Sequence, residues 1–307
     1  MLKINLKSDL KNVIEFILEV EKINMLELSK EINLSRTTLL EISKGKEVSN
    51  IIYEKIYSYL YSQNYRLNKV KEEILKEKYN KVLFHGSKDG LSIIDVDKSR
   101  STCDFGKGFY LGETYNQALS FVCEKENSLI YSFECDLNNL KIKEFNCDLE
   151  WMIAICYFRG TILKYSNTLI VKKIIKELEN VDLIIAPIAD NKMFYIMSQF
   201  AEGEINSLAA IHSLSASSLG KQYVFKTDKA LNQLKPLEKY YICKEERTDC
   251  RKQLIERAFE IDTKLKLAKR EFRDGLYIEE ILKWKNLIMR AYYLPLFKDN
   301  YLKNLMN

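Results

Sequence analysis

The residues best suited to chemistry lie between positions 84 and 112, where half of the ten glycines and one of the two histidines of the chain are found. They read Phe84-His85-Gly86-Ser87 and then Asp104-Phe105-Gly106-Lys107-Gly108-Phe109-Tyr110-Leu111-Gly112. Glycine lets a backbone approach a ligand closely or adopt a positive φ. A titratable imidazole and a phenol among such glycines predict a pocket where main-chain groups and a few side chains converge.

Two common nucleotide-binding motifs do not fit these glycines. A P-loop needs Gly-Lys followed by Ser or Thr, whereas Gly108 follows Lys107. A dinucleotide fingerprint needs Gly-x-Gly-x-x-Gly between a strand and a helix, and the spacing of Gly106, Gly108 and Gly112 differs from it. The segment from Asp104 to Gly112 is therefore interpreted as a loop that runs into a strand.

Two charged residues outside this segment are further candidates, and each has a structural alternative. Asp190 follows an apolar strand expected at 182–186, and it is placed either to act in catalysis or to cap the helix that begins near Asn191. Arg159 follows a helix expected to end at Phe158. Its guanidinium fork suits a pyrophosphate, and it suits an ordinary salt bridge equally.

Composition favours a globular protein with reduced thiols. Of the 307 residues, 47% are apolar and 30% charged, and no apolar run is long enough to span a membrane. Seven cysteines without a Cys-x-x-Cys pair, together with only two histidines, predict neither a disulfide framework nor a metal site. The N-terminus lacks a signal core, so we expect a cytoplasmic protein. A net charge of +5 permits nucleic-acid contact without requiring it.

Residues 1–66 are expected to form a helical domain. Within it, residues 25–45 resemble a helix-turn-helix unit of the phage-repressor type, with Asn33 in the turn, Ser35 as N-cap and Gly45 as terminator. DNA would then meet the exposed face of the second helix, formed by Arg36, Thr37, Thr38 and Glu41. The alternative is a small bundle that binds protein or only packs, because charges in 1–66 are nearly balanced.

The rest of the chain divides into three further segments. Residues 67–80 are expected to be a charged helical connector, and residues 81–237 an α+β domain whose strands and helices do not alternate regularly. In that domain, Val82–Phe84 is expected to be a strand that enters a His-Gly-Ser turn. Residues 238–307 are expected to be a helical extension, with helical periodicity at 278–293, that clamps the core, mediates oligomerisation or binds a partner.

The two glycine-rich motifs resemble the first two signature segments of the ADP-ribosyltransferase superfamily, in the branch of the poly(ADP-ribose) polymerases and diphtheria-type toxins. The wider run, about residues 80–236, is similar to a bacterial branch known only as a domain of unknown function. This resemblance implies an α+β fold, namely a split β-sandwich that holds NAD+ in its cleft. It implies NAD+ as substrate and no metal.

The resemblance also implies roles for single residues. His85 would donate a hydrogen bond to the adenosine-side ribose, the backbone of Gly86 would hold the nicotinamide carboxamide, and Tyr110 would stack on the nicotinamide ring. Phe121 stands where this superfamily often has a second stacking aromatic. The NAD+-contacting residues would be His85, Gly86, Ser87, Gly106, Gly108, Tyr110, Phe121 and Arg159.

The third signature position departs from the pattern of the superfamily. It is normally Glu, but here it corresponds to Gln222, in Lys221-Gln222-Tyr223-Val224-Phe225. Glutamine can hydrogen-bond a ribose hydroxyl but cannot act as a base, which favours transfer of a single ADP-ribose over chain elongation. Asp190 is the alternative source of a carboxylate for the oxocarbenium-like transition state. The catalytic candidates are therefore His85, Tyr110, Asp190 and Gln222.

The sequence thus predicts an NAD+-dependent mono-ADP-ribosyltransferase that modifies a protein or a nucleic acid. By analogy with stand-alone bacterial relatives, it would act as a toxin or phage-defence effector and would have an antitoxin or regulatory partner. Two alternatives stay open. One is an NAD+ glycohydrolase, in which water replaces the acceptor. The other is a non-catalytic DNA-binding regulator with an NAD-sensing domain. It stays open because Gln222 stands in place of the expected Glu.

Overall fold

Helices and largely antiparallel strands build this protein, so the expected α+β class is confirmed. The computed structural model describes residues 2–4, 6, 10–215 and 219–282. Contacts between residues divide the chain into two units. Unit 1 comprises the described residues of 1–96, 109–140 and 221–257, and unit 2 those of 97–108, 141–220 and 258–307.

Unit 1 contains helices from both ends of the chain and most of the strands. Its elements are β1 (Leu2–Lys3), α1 (Leu10–Val20), α2 (Met25–Glu31), α3 (Arg36–Ser43), α4 (Asn50–Ser62), α5 (Leu67–Lys78), β2 (Val82–Ser87), β3 (Ile93–Ile94), β4 (Phe109–Gly112), α6 (Tyr115–Val122) and β5 (Leu129–Cys135). Strand β1 pairs with β3. A 3-10 turn at Val96–Lys98 begins at the end of this unit's first segment.

Unit 2 is mainly helical in its described part. Its elements are β6 (Ile142–Glu144), α7 (Leu149–Phe158), a 3-10 turn at Leu163–Tyr165, α8 (Leu169–Leu178), β7 (Leu183–Pro187), α9 (Asn191–Glu202) and α10 (Ser207–Ser215). Strands β6 and β7 are parallel, with Ile142 opposite Leu183. Helix α7 has buried residues on all sides, which explains its continuous apolar sequence.

The chain then returns to unit 1 before it ends in unit 2. The remaining elements are β8 (Lys221–Phe225), α11 (Asp228–Leu231), β9 (Leu234–Tyr241), α12 (Lys244–Glu271) and α13 (Ile278–Leu282). Helix α12 begins in unit 1, and its residues from Ala258 onward belong to unit 2. Of the helix expected at 278–293, positions 278–282 are confirmed as α13, and 283–293 lie outside the described residues. Among the described residues, no helix combines the length and apolar composition that a membrane span requires.

Five strands of unit 1 lie side by side in the order β8-β4-β2-β5-β9, and each neighbouring pair is antiparallel. Strand β2 is at the centre of this run. It pairs with β5 along its whole length, from Val82 opposite Glu134 to Ser87 opposite Leu129. The three residues His85, Gly86 and Ser87 therefore belong to a strand, and the prediction of a turn there is wrong. Their cross-strand partners in β5 hold them extended, although a glycine by itself favours a turn.

Strand β9 was not expected, and it spans the boundary predicted at 237/238. That boundary falls inside β9, which pairs with β5 from Leu234 to Tyr241. The register shifts beside Pro236, so the strand tolerates a proline that lacks an N–H donor. Pro236 made this segment look like the end of a domain in the sequence, whereas pairing with β5 makes it part of the unit.

The N-terminal helices form as expected from their caps. Asn33 takes a positive φ of 50° between α2 and α3, and the hydroxyl of Ser35 accepts a bond from the N–H of Thr38. Leu28, Ile32, Leu39 and Ile42 are buried. The same apolar cluster includes Tyr241 and Cys243, and the Tyr241 ring stacks on that of Tyr53 in α4 with 3.5 Å between centroids. Residues 1–66 thus share their core with the end of β9.

Each end of helix α12 makes polar contacts within the unit to which it belongs. In unit 1, the hydroxyl of Ser58 donates to the carboxylate of Glu245. The buried guanidinium of Arg247 donates to the carboxylate of Glu54. In unit 2, Lys192 pairs with Asp262 at 2.6 Å. These contacts attach α12 to the protein, and the three roles expected for residues 238–307 stay open.

A buried polar cluster joins α5, α6 and α12 in unit 1. The amide of Asn68 donates to the hydroxyl of Tyr115 at 2.8 Å and to the carboxylate of Glu246 at 3.1 Å. Burial raises the pKa of Glu246 to about 7, and its hydrogen bonds to Tyr115 and Asn68 and the charges of Arg66 and Lys69 only partly oppose this effect. Glu246 therefore changes its charge near neutral pH.

We expect the substitution Glu246→Gln to stabilise the protein at pH 8 and to have little effect at pH 5. A carboxyl whose pKa rises on folding takes up a proton, so its contribution to stability decreases as pH rises from about 4.5 to about 7. The difference in unfolding free energy between variant and wild type should grow to about 3 kcal/mol over that range. Urea unfolding at several pH values measures it, with the exposed Glu73→Gln as control. An equal difference at pH 5 and pH 8 would contradict the prediction.

Candidate functional site

His85 is held by the strand that faces it. Its side chain and that of Phe84 point to opposite faces of β2, because side chains alternate along a strand. The imidazole Nδ1 lies 2.8 Å from the main-chain oxygen of Tyr110 in β4, and the ring lies 4.4 Å from that of Phe109. A carbonyl oxygen can only accept, so Nδ1 carries the proton and donates it.

This bond fixes the chemistry of the other ring nitrogen. Burial lowers the pKa of His85, and the bond to Tyr110 only partly opposes that shift. The imidazole is therefore neutral at pH 7, and its Nε2 is a hydrogen-bond acceptor. The resemblance implied that His85 donates a hydrogen bond to a ribose hydroxyl, whereas in this tautomer the free Nε2 can only accept one.

The bond also bridges a place where two strands separate. Strand β4 pairs with β8 at four positions, from Phe109 opposite Phe225 to Gly112 opposite Gln222. In the described residues, its pairing with β2 is recorded at one position, Phe84 opposite Gly112. Beyond that pair, no further backbone pairing between β2 and β4 is present in the described residues, and a side-chain bond from His85 takes the place of a ladder bond. We call this break in the ladder the opening between β2 and β4, and it lies at two residues that the sequence singled out.

Tyr110 and Gln222 share one face of the strands. Tyr110 is two residues from Gly112, whose partner is Gln222, so strand alternation places both side chains on the same face. Tyr110 is partly buried and Gln222 is buried. The imidazole of His85 lies with Phe109 on the opposite face. Tyr110 therefore presents its ring on one face and its carbonyl to His85.

Gly86 has a structural reason to be glycine. A Cβ built on Gly86 would stand 2.5 Å from the main-chain oxygen of Ala118 in α6, closer than atoms can approach. The sequence assigned this glycine to a ligand, whereas the structure shows it against a helix. Ser87 is engaged in the following turn, where its hydroxyl donates to the carbonyl of Gly90.

Phe121 is the aromatic on α6 that the resemblance singled out. Its side chain is 57% exposed, although α6 is otherwise buried through Tyr115, Ala118, Leu119 and Val122. An exposed phenylalanine on a helix packed against β2 is available to a ligand. Its neighbour Val122 lies beside Gly86, which locates this end of α6 next to the motif.

Arg159 and Asp104 bind each other in unit 2. The Nε of Arg159 lies 2.7 Å from Asp104, and its Nη2 bonds the same carboxylate oxygen and the carbonyl of Ala189. The guanidinium also covers the ring of Phe194 at 4.2 Å. These contacts account for Arg159 without a ligand, because they tie the Asp104 loop to the end of α7 and to the segment before α9.

Gly106 and Gly108 of the second motif belong to the same packed loop. Phe105 is fully buried against Phe145 and Phe158. Gly106 has a φ of 70°, which L-residues with side chains rarely adopt, and a Cβ there would stand 3.0 Å from the ring of Phe158. The N–H of Gly108 donates to the hydroxyl of Ser99 at 2.7 Å. Packing thus explains the loop as well as ligand binding would.

Asp190 is the N-cap of α9, one of the two roles left open above. Its carboxylate accepts a bond from the N–H of Met193 at 2.8 Å. Asparagine caps a helix about as well as aspartate, whereas alanine does not. The pair of substitutions Asp190→Asn and Asp190→Ala can therefore separate the cap from any catalytic use of the charge.

We expect Asp190→Ala to destabilise the protein by about 1 kcal/mol and Asp190→Asn to leave stability nearly unchanged. If the carboxylate serves only as a cap, Asp190→Asn retains activity. Thermal unfolding and NAD+ turnover of both variants give the answer. A loss of activity in Asp190→Asn, with normal stability, would assign the carboxylate to the reaction instead.

Glu113 is a site residue that the sequence reasoning missed. It follows β4 directly, and its carboxylate binds the hydroxyl of Tyr223 at 2.9 Å, the N–H of Lys221 at 3.2 Å and the ammonium of Lys81 at 3.3 Å. Burial acts to raise its pKa, but these three partners, the Lys221 N–H foremost, lower it overall. The available signal was an acid placed immediately after the glycine-aromatic strand, where loops often carry functional groups.

The face of α3 expected to meet DNA is exposed in part. Arg36 and Thr37 are exposed, whereas Thr38 and Glu41 are half-buried. Leu40, which was not assigned to that face, is also exposed. Thr38 shares a hydrogen bond with Ser35 in the cap. The carboxylate of Glu41 pairs with Lys46 at 2.9 Å. One of the polar side chains expected to meet DNA is therefore already engaged within the protein.

Comparison with known proteins identifies a family for the central part of the chain. The model of a family described as "Protein of unknown function (DUF3990)" matches residues 81–236, half of the chain. The chain belongs to this family. The DUF3990 region includes His85, Tyr110, Asp190 and Gln222, and it coincides with the segment expected from the motifs to be a domain of unknown function. No curated protein and no solved structure matches the chain.

The DUF3990 description carries no activity, so the link to ADP-ribosyltransferases stays a prediction. The candidate residues fall into two groups. Unit 1 contains His85, Gly86, Ser87, Tyr110, Phe121 and Gln222, and unit 2 contains Gly106, Gly108, Arg159 and Asp190. No group of three or more His, Cys, Asp and Glu side chains among the described residues is arranged to hold a metal ion.

Proposed function

We propose that this protein is an NAD+-dependent mono-ADP-ribosyltransferase. The observation that carries the proposal is the opening between β2 and β4, where His85 bridges to the carbonyl of Tyr110. A split between two central strands, with an imidazole and a phenol at its margin, is the feature that the resemblance requires. The finer fold of a split β-sandwich is part of this proposal.

The imidazole of His85 and the ring of Tyr110 lie on opposite faces of the strands, so the proposal requires NAD+ to contact both faces where the pairing between β2 and β4 stops. The neutral His85 accepts a hydrogen bond from a ribose hydroxyl through Nε2. The ring of Tyr110 stacks on nicotinamide, and the exposed ring of Phe121 offers a second apolar face. The main chain of Gly86 binds the carboxamide through its peptide groups. The amide of Gln222 hydrogen-bonds a ribose hydroxyl and, having no charge, limits the reaction to a single transfer.

The reaction breaks the bond between nicotinamide and C1′ of the ribose and forms a bond from C1′ to a nucleophile of the acceptor. Nicotinamide leaves as a neutral molecule, and the acceptor loses a proton. The transition state is oxocarbenium-like, so groups that keep the ribose and the leaving ring in line provide most of the catalysis. The acceptor is a protein or a nucleic acid. The cytoplasmic setting, as a toxin or phage-defence effector with an antitoxin or regulatory partner, extends the proposal by analogy.

Incubation with NAD+ labelled in its adenylate part tests the proposal. Transfer predicts label on macromolecules, and mass spectrometry of protein and nucleic acid locates the added ADP-ribose. Free ADP-ribose alone would support the glycohydrolase alternative, in which water is the acceptor. Absence of both products, with the full chain and with lysate as acceptor source, would refute an enzyme that acts on NAD+.

A non-catalytic DNA-binding regulator that senses NAD+ is the second candidate. Two observations favour it: Gln222 in place of a carboxylate, and the well-formed turn from Asn33 to the Ser35 cap, which exposes Arg36 and Thr37. The ratio of specific to nonspecific DNA affinity at fixed salt tests this candidate. A ratio near one would exclude a sequence-reading regulator, and Arg36→Ala should weaken any specific complex.

A further inference from the structure

Glu113 stands where three strands of the candidate site begin or end. It directly follows β4, which carries Tyr110. Its partner Lys81 directly precedes β2, which carries His85. Its other two partners, Lys221 and Tyr223, flank Gln222 in β8. One carboxylate thus contacts segments adjoining the three catalytic candidates of unit 1, namely His85, Tyr110 and Gln222.

The contact with Lys221 ends the ladder between β4 and β8. The last backbone pair is Gly112 opposite Gln222. At the next position, the carboxylate of Glu113 takes the N–H of Lys221 at 3.2 Å. A slip of β8 by one residue would move Gln222 to the opposite face of the strands, because side chains alternate. The bond from Glu113 to a main-chain group opposes such a slip.

Glu113 is itself held rigidly. Its own N–H, like that of Thr114, donates to the side-chain oxygen of Gln117, and Thr114 in return caps α6. The ammonium of Lys81 lies over the ring of Tyr223 at 4.6 Å as well as beside the carboxylate. Lys81 and Tyr223 therefore support each other around Glu113. Because Glu113 is fixed by the cap of α6, its carboxylate can hold the adjoining ends of β4 and β8.

We infer that Glu113 is a positioning residue that sets Gln222 and Tyr110 in register for the reaction. This inference rests on the proposed function. Glu113 acts through the main chain of Lys221 and the hydroxyl of Tyr223, and it does not touch the substrate. The third signature position has Gln222 instead of a carboxylate, and the carboxylate of Glu113 orients this glutamine.

The experiment compares wild type with Glu113→Gln and with the control Glu134→Gln. Glu134 on β5 pairs with Lys235 on the neighbouring strand β9 at 3.4 Å, and the contacts described above do not join it to a candidate residue. For Glu113→Gln we expect kcat to fall about 30- to 100-fold, while KM for NAD+ changes less than about threefold, since a displacement near 1 Å can cost that much. The control should retain the wild-type kcat.

Two further measurements separate positioning from general stability. The wild-type kcat should decrease at acid pH as Glu113 gains a proton, and Glu113→Gln should lack this decrease. In 1H–15N spectra, the Lys221 amide should titrate with the carboxylate in wild type and not in the variant. An active wild type whose Glu113→Gln variant matches the control would overturn the inference alone. A wild type inactive towards NAD+ would overturn the proposed function, while the Lys221 titration still tests the strand contact.

Discussion

Replacing Tyr110 with alanine should reduce kcat/KM for NAD+ about 100-fold. The substitution removes a partly buried aromatic ring from the margin of the opening between β2 and β4. Loss of its apolar contact with nicotinamide costs about 2 kcal/mol and loss of stacking about 1 kcal/mol, which together correspond to that factor. Nicotinamide release from NAD+, followed by chromatography, measures the change.

Tyr110→Phe is the matched control for this prediction. It keeps the ring and removes only the hydroxyl, so activity within about threefold of wild type indicates stacking. In all variants the main-chain oxygen of Tyr110 stays available to His85. If Tyr110→Ala folds normally and keeps wild-type turnover, the ring has no part in NAD+ binding, and the proposal fails at its most specific residue.

The role of His85 can be tested at each ring nitrogen separately, because the proposal gives the two nitrogens different partners. His85→Asn places an amide N–H near the position of Nδ1 and can keep the bond to the carbonyl of Tyr110, but it loses the Nε2 acceptor. We expect this variant to lose about tenfold in affinity for NAD+, the value of one hydrogen bond. His85→Ala loses both contacts and leaves the Tyr110 carbonyl without this donor, so about a 100-fold loss is expected.

Calorimetric titration with NAD+ and thermal unfolding distinguish these effects. The affinity of wild type should stay constant as pH falls through 6.5, the ordinary pKa of histidine, because burial lowers the pKa of His85. An affinity that drops steeply near pH 6.5 would show that the pKa of His85 is not lowered. Equal affinities in wild type and His85→Ala would show that the Nε2 acceptor is not used.

The helices and their ends could largely be predicted from the sequence. Ser35 and Asp190 are capping residues next to periodic apolar segments, and each caps the expected helix. Asn33 and Gly45 take the positive φ that their positions required. These features depend on residues close in sequence, so the local pattern contains the information needed to predict them.

Strand β9 and the extent of β2 could not be predicted in this way. The sequence assigned residues 238–241 to a helical extension, yet they belong to a strand that is held by pairing with β5, about a hundred residues earlier in the chain. His85-Gly86-Ser87 looks like a turn and is a strand for the same reason. Cross-strand partners determine such segments more than their intrinsic preferences do.

The sequence by itself determined the helical segments, the α+β class and the motif residues worth testing. Only the tertiary structure decided how those residues are used: which nitrogen of His85 is protonated, why Gly86 has no side chain, and that Asp190 and Arg159 already have protein partners. It also revealed Glu113, whose partners lie 32 and about 110 positions away along the chain. Hydrogen bonds and close contacts between distant segments depend on how strands are paired and packed, and a residue pattern read along the chain does not contain that pairing.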